Sequence, residues 1–332
     1  MIQRLLRKAR IFLPQWMNDL FLDNDHRRLH SRLLAGSGLE HSFIPVDVSV
    51  PCAFVLLQYN QANMTIECIE AIEKLDSLIP VKIVVVDNGS KDDSLLKIRA
   101  YSDNKTSIHV LASKENTGYA RGNNQGYRFA KEVLKSQFIF ILNNDVIIED
   151  KRFLQKAMRL YGKTSYSILG PDIVVRGKRD VHQNPLGYSL KTGADMQRSI
   201  ARDEKKLEDI DRDTTEGMPP KPYGHKIKDR YRRHGSIVLH GAAYMFSPIF
   251  VNDFEYPFDE RTFLYGEENL LSLRALSRKH ALFYCPSIQV VHKTKTSTET
   301  TDLRAYRKFR YANNIKSCRI YLEVLSTLNG RG

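Results

Sequence analysis

"QFIFILNNDVIIED" spans residues 137–150. The apolar run Phe138-Ile139-Phe140-Ile141-Leu142 stops at Asn143-Asn144-Asp145, and apolar residues resume at Val146-Ile147-Ile148. Short apolar runs rich in β-branched and aromatic side chains read as strands buried on both faces. Three polar side chains at the end of such a strand do nothing for a core. They suit the place where an open α/β sheet receives ligands, outside the carboxyl ends of its strands.

Upstream, the chain alternates. "CAFVLLQYN" (52–60) reads as a strand ending in polar residues, and "MTIECIEAIEKL" (64–75) has helical periodicity. "VKIVVVDNGS" (81–90) reads as a strand running into a turn, and "DDSLLKIRAYS" (92–102) as a helix opened by acids that suit its N-terminus. "IHVLAS" (108–113) is a strand, and "YARGNNQGYRFAKEVL" (119–134) is a loop passing into a helix. The series predicts an α/β fold with a parallel sheet and crossover helices. Three strands then end in polar clusters at one sheet edge: Gln58-Tyr59-Asn60, Asp87-Asn88-Gly89-Ser90 and Asn143-Asn144-Asp145. One such cluster could be a cap or a turn. Three together predict a polar cleft.

Downstream, residues 178–236 are rich in charge, carry "EGMPPKPYG" and show no sustained periodicity, so they read as an insertion or flap. The apolar pattern resumes at "SIVLHGAAYMFSP" (236–248), followed by a helix at "NLLSLRALSRK" (269–279) and a strand at "ALFYCPSIQVVH" (281–292). Residues 301–332 read as a basic helical segment. At the other end, Ile2, Leu5, Leu6, Ala9, Phe12 and Leu13 share one helical face, with Arg4, Arg7, Lys8 and Arg10 off it. That helix could lie on an anionic membrane or dock on protein. The expected organisation is therefore an N-terminal extension (1–48), a main domain (49–300, with halves 49–150 and 151–300) and a C-terminal segment (301–332).

Among 332 residues, 51 Lys+Arg against 38 Asp+Glu give a net charge of +13. This favours an anionic partner, whether nucleic acid, membrane or phosphorylated small molecule. No nucleic-acid recognition motif occurs, so no nucleic-acid partner is expected. Cys52, Cys68, Cys285 and Cys318 form no CxxC pair, which excludes a zinc-type spacing and fits reduced thiols. No apolar run approaches the about 18 residues of a membrane span, and no signal peptide is read.

"VLLQYN", "VVVDNGSKDDS", "NTGYARGNNQG", "FILNNDV", "FDERTFLYGEENLLSLR" and "VVH" occur in this order. The series resembles the family 2 glycosyltransferases, and more narrowly the bacterial rhamnosyltransferase-like members that build surface polysaccharides. The resemblance covers roughly residues 50–295. It implies a GT-A fold, with a Rossmann-like mixed sheet flanked by helices and N- and C-terminal helical extensions. The implied reaction is inverting transfer of a sugar from a UDP- or dTDP-sugar to a hydroxyl of a lipid-linked or oligosaccharide acceptor. Rhamnose is favoured, with galactofuranose or a hexose open. The expected place is the cytoplasmic face of the cell membrane, attached peripherally, with a homo-oligomer left open.

By the same resemblance Tyr59, Asn60 and Asp87, with Asn88 and Ser90 nearby, hold the nucleoside. Asn116, Gly118, Arg121 and Asn124 lie near the donor, the glycines of "NTGYARGNNQG" letting backbone approach a ligand. Glycines serving turns, or a dinucleotide-binding loop of unusual spacing, are the other readings of that stretch. Asp145 matches a ligand of Mn2+ or Mg2+. Asn143 stands where the family usually has a first acid, and Asn144 lies between them. His292 matches a metal or phosphate contact, although a histidine in a polar turn is the plain alternative. Glu268 matches the general base, with Glu267 orienting the acceptor. As residues alone, the two are equally acids at a helix N-terminus. Leu270 replaces the third acid usual in that branch. Gly241, with Ala242, leaves room for a sugar ring. The alternative function is a non-catalytic GT-A-fold binding or scaffold protein with a degenerate metal site.

Overall fold

The computed structural model describes residues 43–187, 189–212, 237–293 and 302–329. The basic amphipathic segment 2–13 lies outside them. Three βα alternations and a fourth strand open the fold: β1 (Cys52–Gln58), α1 (Ala62–Glu73), β2 (Val81–Asp87), α2 (Ser94–Ser102), β3 (Ile108–Ala112), α3 (Gly118–Arg128) and β4 (Phe138–Asn143). There follow β5 (Val146–Ile147), α4 (Phe153–Thr164), β6 (Ile168–Val175), β7 (Lys178–His182), α5 (Gly193–Arg212), β8 (Ala243–Phe246), α6 (Pro248–Asp253), α7 (Glu267–Ser277), β9 (Leu282–His292) and α8 (Leu303–Asn329).

The strands form one sheet in the order β3-β2-β1-β4-β8-β6-β9-β5, with β7 paired on β6. β3, β2, β1 and β4 run parallel, whereas β8 runs antiparallel to both β4 and β6. The sheet is therefore mixed, and the parallel half ends at β4. Register levels the strand ends. Gln58 pairs with Asp87, and Leu57 with Asn143, so the three polar clusters share one edge.

Alternation along each strand builds two cores. Ala53, Val55, Val84, Val86, Ile139 and Ile141 face α3, α7 and α8. Cys52, Phe54, Leu56, Ile83, Val85, Phe138, Phe140 and Leu142 face α1, α2 and α4. Phe54 and Phe140 stack across neighbouring strands at 4.6 Å. Each such side chain contributes roughly 1.5–3 kcal/mol on burial, so the central strands are apolar until they reach the edge.

Helix α3 lies close on β1. A Cβ at Gly126 would stand 2.3 Å from Val55 Cγ1, and one at Gly122 2.4 Å from Leu57 Cδ1. Gly118 adopts φ +82°, and a Cβ there would stand 2.3 Å from the Phe263 carbonyl oxygen. The close approach expected to serve a ligand thus serves the packing of the chain on itself.

The stretch 178–236 is not structureless where it is described. It contains β7 and the 20-residue helix α5. Thr192 and Asp195 cap α5 reciprocally: Thr192 N–H donates to Asp195 Oδ2 (2.8 Å) and Asp195 N–H to Thr192 Oγ1 (3.1 Å). Its inner face runs Met196, Ile200, Asp203, Leu207, Ile210, and the buried acid in mid-stripe conceals the helical period. Asp203 accepts from Arg202 Nε (2.7 Å) and Asn314 Nδ2 (2.6 Å), the second contact tying α5 to α8. Helix α8 is accordingly part of the core. Its Cys318, Ile320, Tyr321 and Leu325 are buried with the helices of the main domain.

Candidate active site

The turn Asn143-Asn144-Asp145 joins β4 to β5, and the pairing of Val146 with His292 brings the end of β9 alongside it. Asp145 is buried, and its Oδ1 lies 3.1 Å from His292 Nε2. His292 Nδ1–H donates to Gln183 Oε1 at 2.6 Å, which orients the ring and leaves Nε2 turned to the carboxylate. Two adjacent ligands of an octahedral cation at roughly 2.1 Å lie ~3 Å apart, so this oxygen and nitrogen fit one divalent ion. Among the described residues no third His, Cys, Asp or Glu completes a protein-only metal cluster. An ion held there would take its remaining ligands from other oxygens, such as those of the substrate, of water or of the Asn143 amide. Lys293, next along, pairs with the Glu67 carboxylate on α1.

The acid pair stands at the start of α7, behind the left-handed residues Tyr265 (φ 71°) and Gly266 (φ 90°). That bend turns the chain so that Glu267 and Glu268 occupy the first helical turn. Glu267 is buried, and its Oε1 has no hydrogen-bond partner among the described residues. Burial, and then the charge of Glu268, push the Glu267 carboxyl up to about 8. Glu268 is half-buried. Burial raises its pKa too, against backbone N–H groups including that of Gly241. A pair so arranged keeps a proton to higher pH than a lone carboxylate would, because the second charge is disfavoured beside the first.

The bend His240-Gly241-Ala242 links the two centres. Ala242 carbonyl accepts from Asn143 N–H at 2.9 Å. Tyr119 Oη–H donates to the Gly241 carbonyl at 2.6 Å. A Cβ at Gly241 would come within 3.0 Å of Glu268 Oε1, so glycine there leaves room for the acid. The His240 ring lies 6.0 Å from that of His292, edge to face. Its Nδ1 accepts from Ala242 N–H (3.0 Å), and its own backbone N–H donates to Asn184 Oδ1 (3.0 Å). Burial, and then His292, push the His240 pKa down to about 3, so the ring is neutral.

The nucleoside side is a hydrogen-bonded loop cluster. Asp87 accepts from Gln58 Nε2 and from Ser90 N–H (3.0 Å). Ser90 Oγ accepts from Asn60 N–H (2.9 Å), and Asn60 Oδ1 from Lys91 N–H (2.8 Å). Tyr59 is half-buried beside them. Each carboxylate oxygen has a second lone pair, so Asp87 retains acceptor capacity.

Several expected ligand contacts prove to be internal props. Asn88 bridges to Asn116 Oδ1 (3.0 Å), Gly118 O (3.2 Å) and Thr117 N–H (3.0 Å), which engages both ends of its amide. Asn116 Oδ1 also accepts from Gly118 N–H (2.9 Å). Asn124 is fully buried, and its amide pairs with the Phe258 backbone through both Nδ2 (2.8 Å) and Oδ1 (3.1 Å). It cannot reach a donor. Arg121 Nε donates to the Glu260 carbonyl at 3.0 Å. Asn144 donates to Thr65 Oγ1 on α1 (3.1 Å), holding the turn. Conversely, sequence reasoning passed over Gln183 and Asn184, which seat the two histidines, because both lie in the charged stretch read as a flap. It also passed over Tyr119, inside "NTGYARGNNQG", and His240, next to Gly241, because neither residue type at those places signals a role by itself.

Residues 54–245 match the family model described as "Glycosyl transferase family 2". The low-salt glycan biosynthesis hexosyltransferase Agl10 of Haloferax volcanii is 26% identical over 211 residues. The match covers 64% of this chain and 58% of that relative's length. Among solved structures, the mannosyltransferase PcManGT of Pyrobaculum calidifontis, in complex with GDP-Man and Mn2+, is similar at TM-score 0.48 and 15% identity, over 95% of this chain and 82% of that one. S. aureus TarS 1–349 is similar at TM-score 0.47 and 15% identity, over 74% and 60%. The family model spans more than half of the chain, and within it four parallel βα strands run into a mixed sheet whose polar edge carries the acids; the chain belongs to glycosyl transferase family 2, with its GT-A fold.

Proposed function

We propose that the protein is an inverting glycosyltransferase that moves a sugar from a UDP- or dTDP-sugar to a hydroxyl of a lipid-linked or oligosaccharide acceptor. The observation that carries this reading is the acid pair at the head of α7, joined through the Gly241 bend to the Asp145–His292 pair. One carboxylate for a proton and one anion-binding centre for a leaving group are what the reaction requires. Glu268 takes the acceptor's proton as its oxygen attacks the anomeric carbon. The bond from that carbon to the diphosphate breaks, and its electron pair stays on the phosphate oxygen. Glu267, neutral at pH 7, accompanies the base without adding a second charge and can donate a hydrogen bond to the acceptor. Asp145 and His292 would hold Mn2+ or Mg2+, which when bound neutralises charge on the diphosphate. Asp87, with Tyr59, Asn60 and Ser90, takes the nucleoside, and an acceptor oxygen there suits the imide N–H of uracil or thymine. Rhamnose is the first choice of sugar, in surface polysaccharide synthesis, with galactofuranose or a hexose next.

The site of action in this reading is the inner face of the cell membrane, attached peripherally. The excess of 13 positive charges suits an anionic surface. Among the described residues, no helix is long and apolar enough to cross a membrane.

The test is nucleotide release from UDP- and dTDP-sugars with membrane lipid extract, with and without Mn2+ or Mg2+. Metal-stimulated release from one of them is expected. Failure of every nucleotide sugar to bind would remove the reading.

The acid pair also has a signature in stability. The Glu267 pKa lies above its ordinary value of 4.5, at about 8, so the folded state keeps a proton that the unfolded chain has lost. Stability should therefore fall as pH rises from about 4.5 to about 8. Glu267→Gln lacks this proton linkage. Its melting temperature, relative to wild type, should rise steadily between those limits. A difference independent of pH would show that Glu267 ionises normally.

A further inference from the structure

We infer that His240 donates its Nε2–H to a β-phosphate oxygen of the donor, sharing the charge of the departing diphosphate. This rests on the donor reading above. The tautomer follows from geometry. Nδ1 accepts the Ala242 N–H at 3.0 Å, so the ring proton is on Nε2. Nε2 makes no hydrogen bond to any described residue, and the residue is only half-buried. A donor N–H is thus held in place with its hydrogen still to give.

Its position selects the recipient. The ring stands edge to face with His292 at 6.0 Å, and His292 lies 3.1 Å from Asp145. The next residue, Gly241, borders Glu268. A donor spanning the two centres lays its diphosphate against Asp145 and His292 and its anomeric carbon toward Glu268. The group between them is the β-phosphate, whose oxygen receives the electron pair when the sugar leaves. Asn143 has no charge where the family's first acid usually stands, and Asp145 alone supplies a carboxylate from that turn. A fixed N–H on the phosphate then carries part of what a fully ligated cation would otherwise carry. Asn184, which seats the His240 backbone at 3.0 Å, and Gln183, which seats His292 at 2.6 Å, are neighbours in sequence, so one short segment sets both rings.

The experiment is calorimetric titration of the full chain with UDP, UMP, dTDP and dTMP, for wild type, His240→Ala and His240→Asn, in Mn2+ and again in EDTA. A hydrogen bond to a charged group is lost in His240→Ala, so diphosphate affinity should fall about tenfold to a hundredfold. Monophosphate affinity should stay, and the loss should persist in EDTA. His240→Asn retains a side-chain N–H and should recover part of the diphosphate preference. If mono- and diphosphate affinities fall together, His240 only props the bend and the inference is overturned. A loss confined to Mn2+ assigns the effect to the metal pair and also overturns it. An unchanged ratio in His240→Ala, with wild-type binding intact, overturns this inference alone. Failure of wild type to bind any diphosphate overturns the donor reading and this inference together.

Discussion

Glu268→Gln should lower turnover by about a hundredfold to ten-thousandfold, the usual contribution of a positioned general base. Nucleoside diphosphate affinity should be unchanged. The amide has the shape of the acid and can still receive the Gly241 N–H, so the bend should keep its place. It cannot take a proton from the acceptor hydroxyl. The neighbouring acid is a poor substitute: Glu267 is buried and holds its proton up to about pH 8. Loss of turnover with nucleotide binding retained separates a base from a structural helix-start acid, whose removal would reduce both through unfolding. Full turnover in Glu268→Gln would show that another group accepts the proton.

Asp145→Asn should remove metal stimulation of nucleotide release and weaken Mn2+ binding by at least about a hundredfold, more than the 10- to 100-fold typical of groups that only support a ligand. The expectation is strong because the alternatives are few. Asn143 and Asn144 carry no charge, and no third His, Cys, Asp or Glu completes a cluster among the described residues. Since the protein supplies an acid and an imidazole, Mn2+ should bind wild type weakly alone and much more tightly with UDP or dTDP present. Mn2+ titrations by electron paramagnetic resonance, with and without diphosphate, check both statements. Equal Mn2+ affinity in wild type and Asp145→Asn would place the ion elsewhere.

The parallel half of the fold was legible because β1, β2 and β4 are largely apolar and end abruptly in polar residues. The reversal at β8 was not. "AYMF" is as apolar as a parallel strand, and its direction is set by pairing with β4 and β6, which no local pattern encodes. α5 was missed although its Thr192–Asp195 capping box is written in the sequence, because Asp203 interrupts the stripe and finds its partners on α8. In the site, residues chosen for their chemistry (Asp145, His292, Glu267, Glu268) lie in two linked centres. Residues chosen for polarity alone divided. Asn88 and Asn124 look identical in sequence to ligand contacts, yet their amides are engaged by Asn116, Gly118, Thr117 and the Phe258 backbone. A polar side chain near a ligand and one holding a loop differ only in what the rest of the chain brings to them.

The arrangement is tested most directly by anomalous diffraction from crystals grown with Mn2+ and UDP or dTDP. The expected result is a manganese peak between Asp145 and His292, the diphosphate against it, and the pyrimidine at Asp87, with Glu268 facing the vacated sugar position. Manganese and nucleotide bound away from the Asn143-Asn144-Asp145 turn would contradict it.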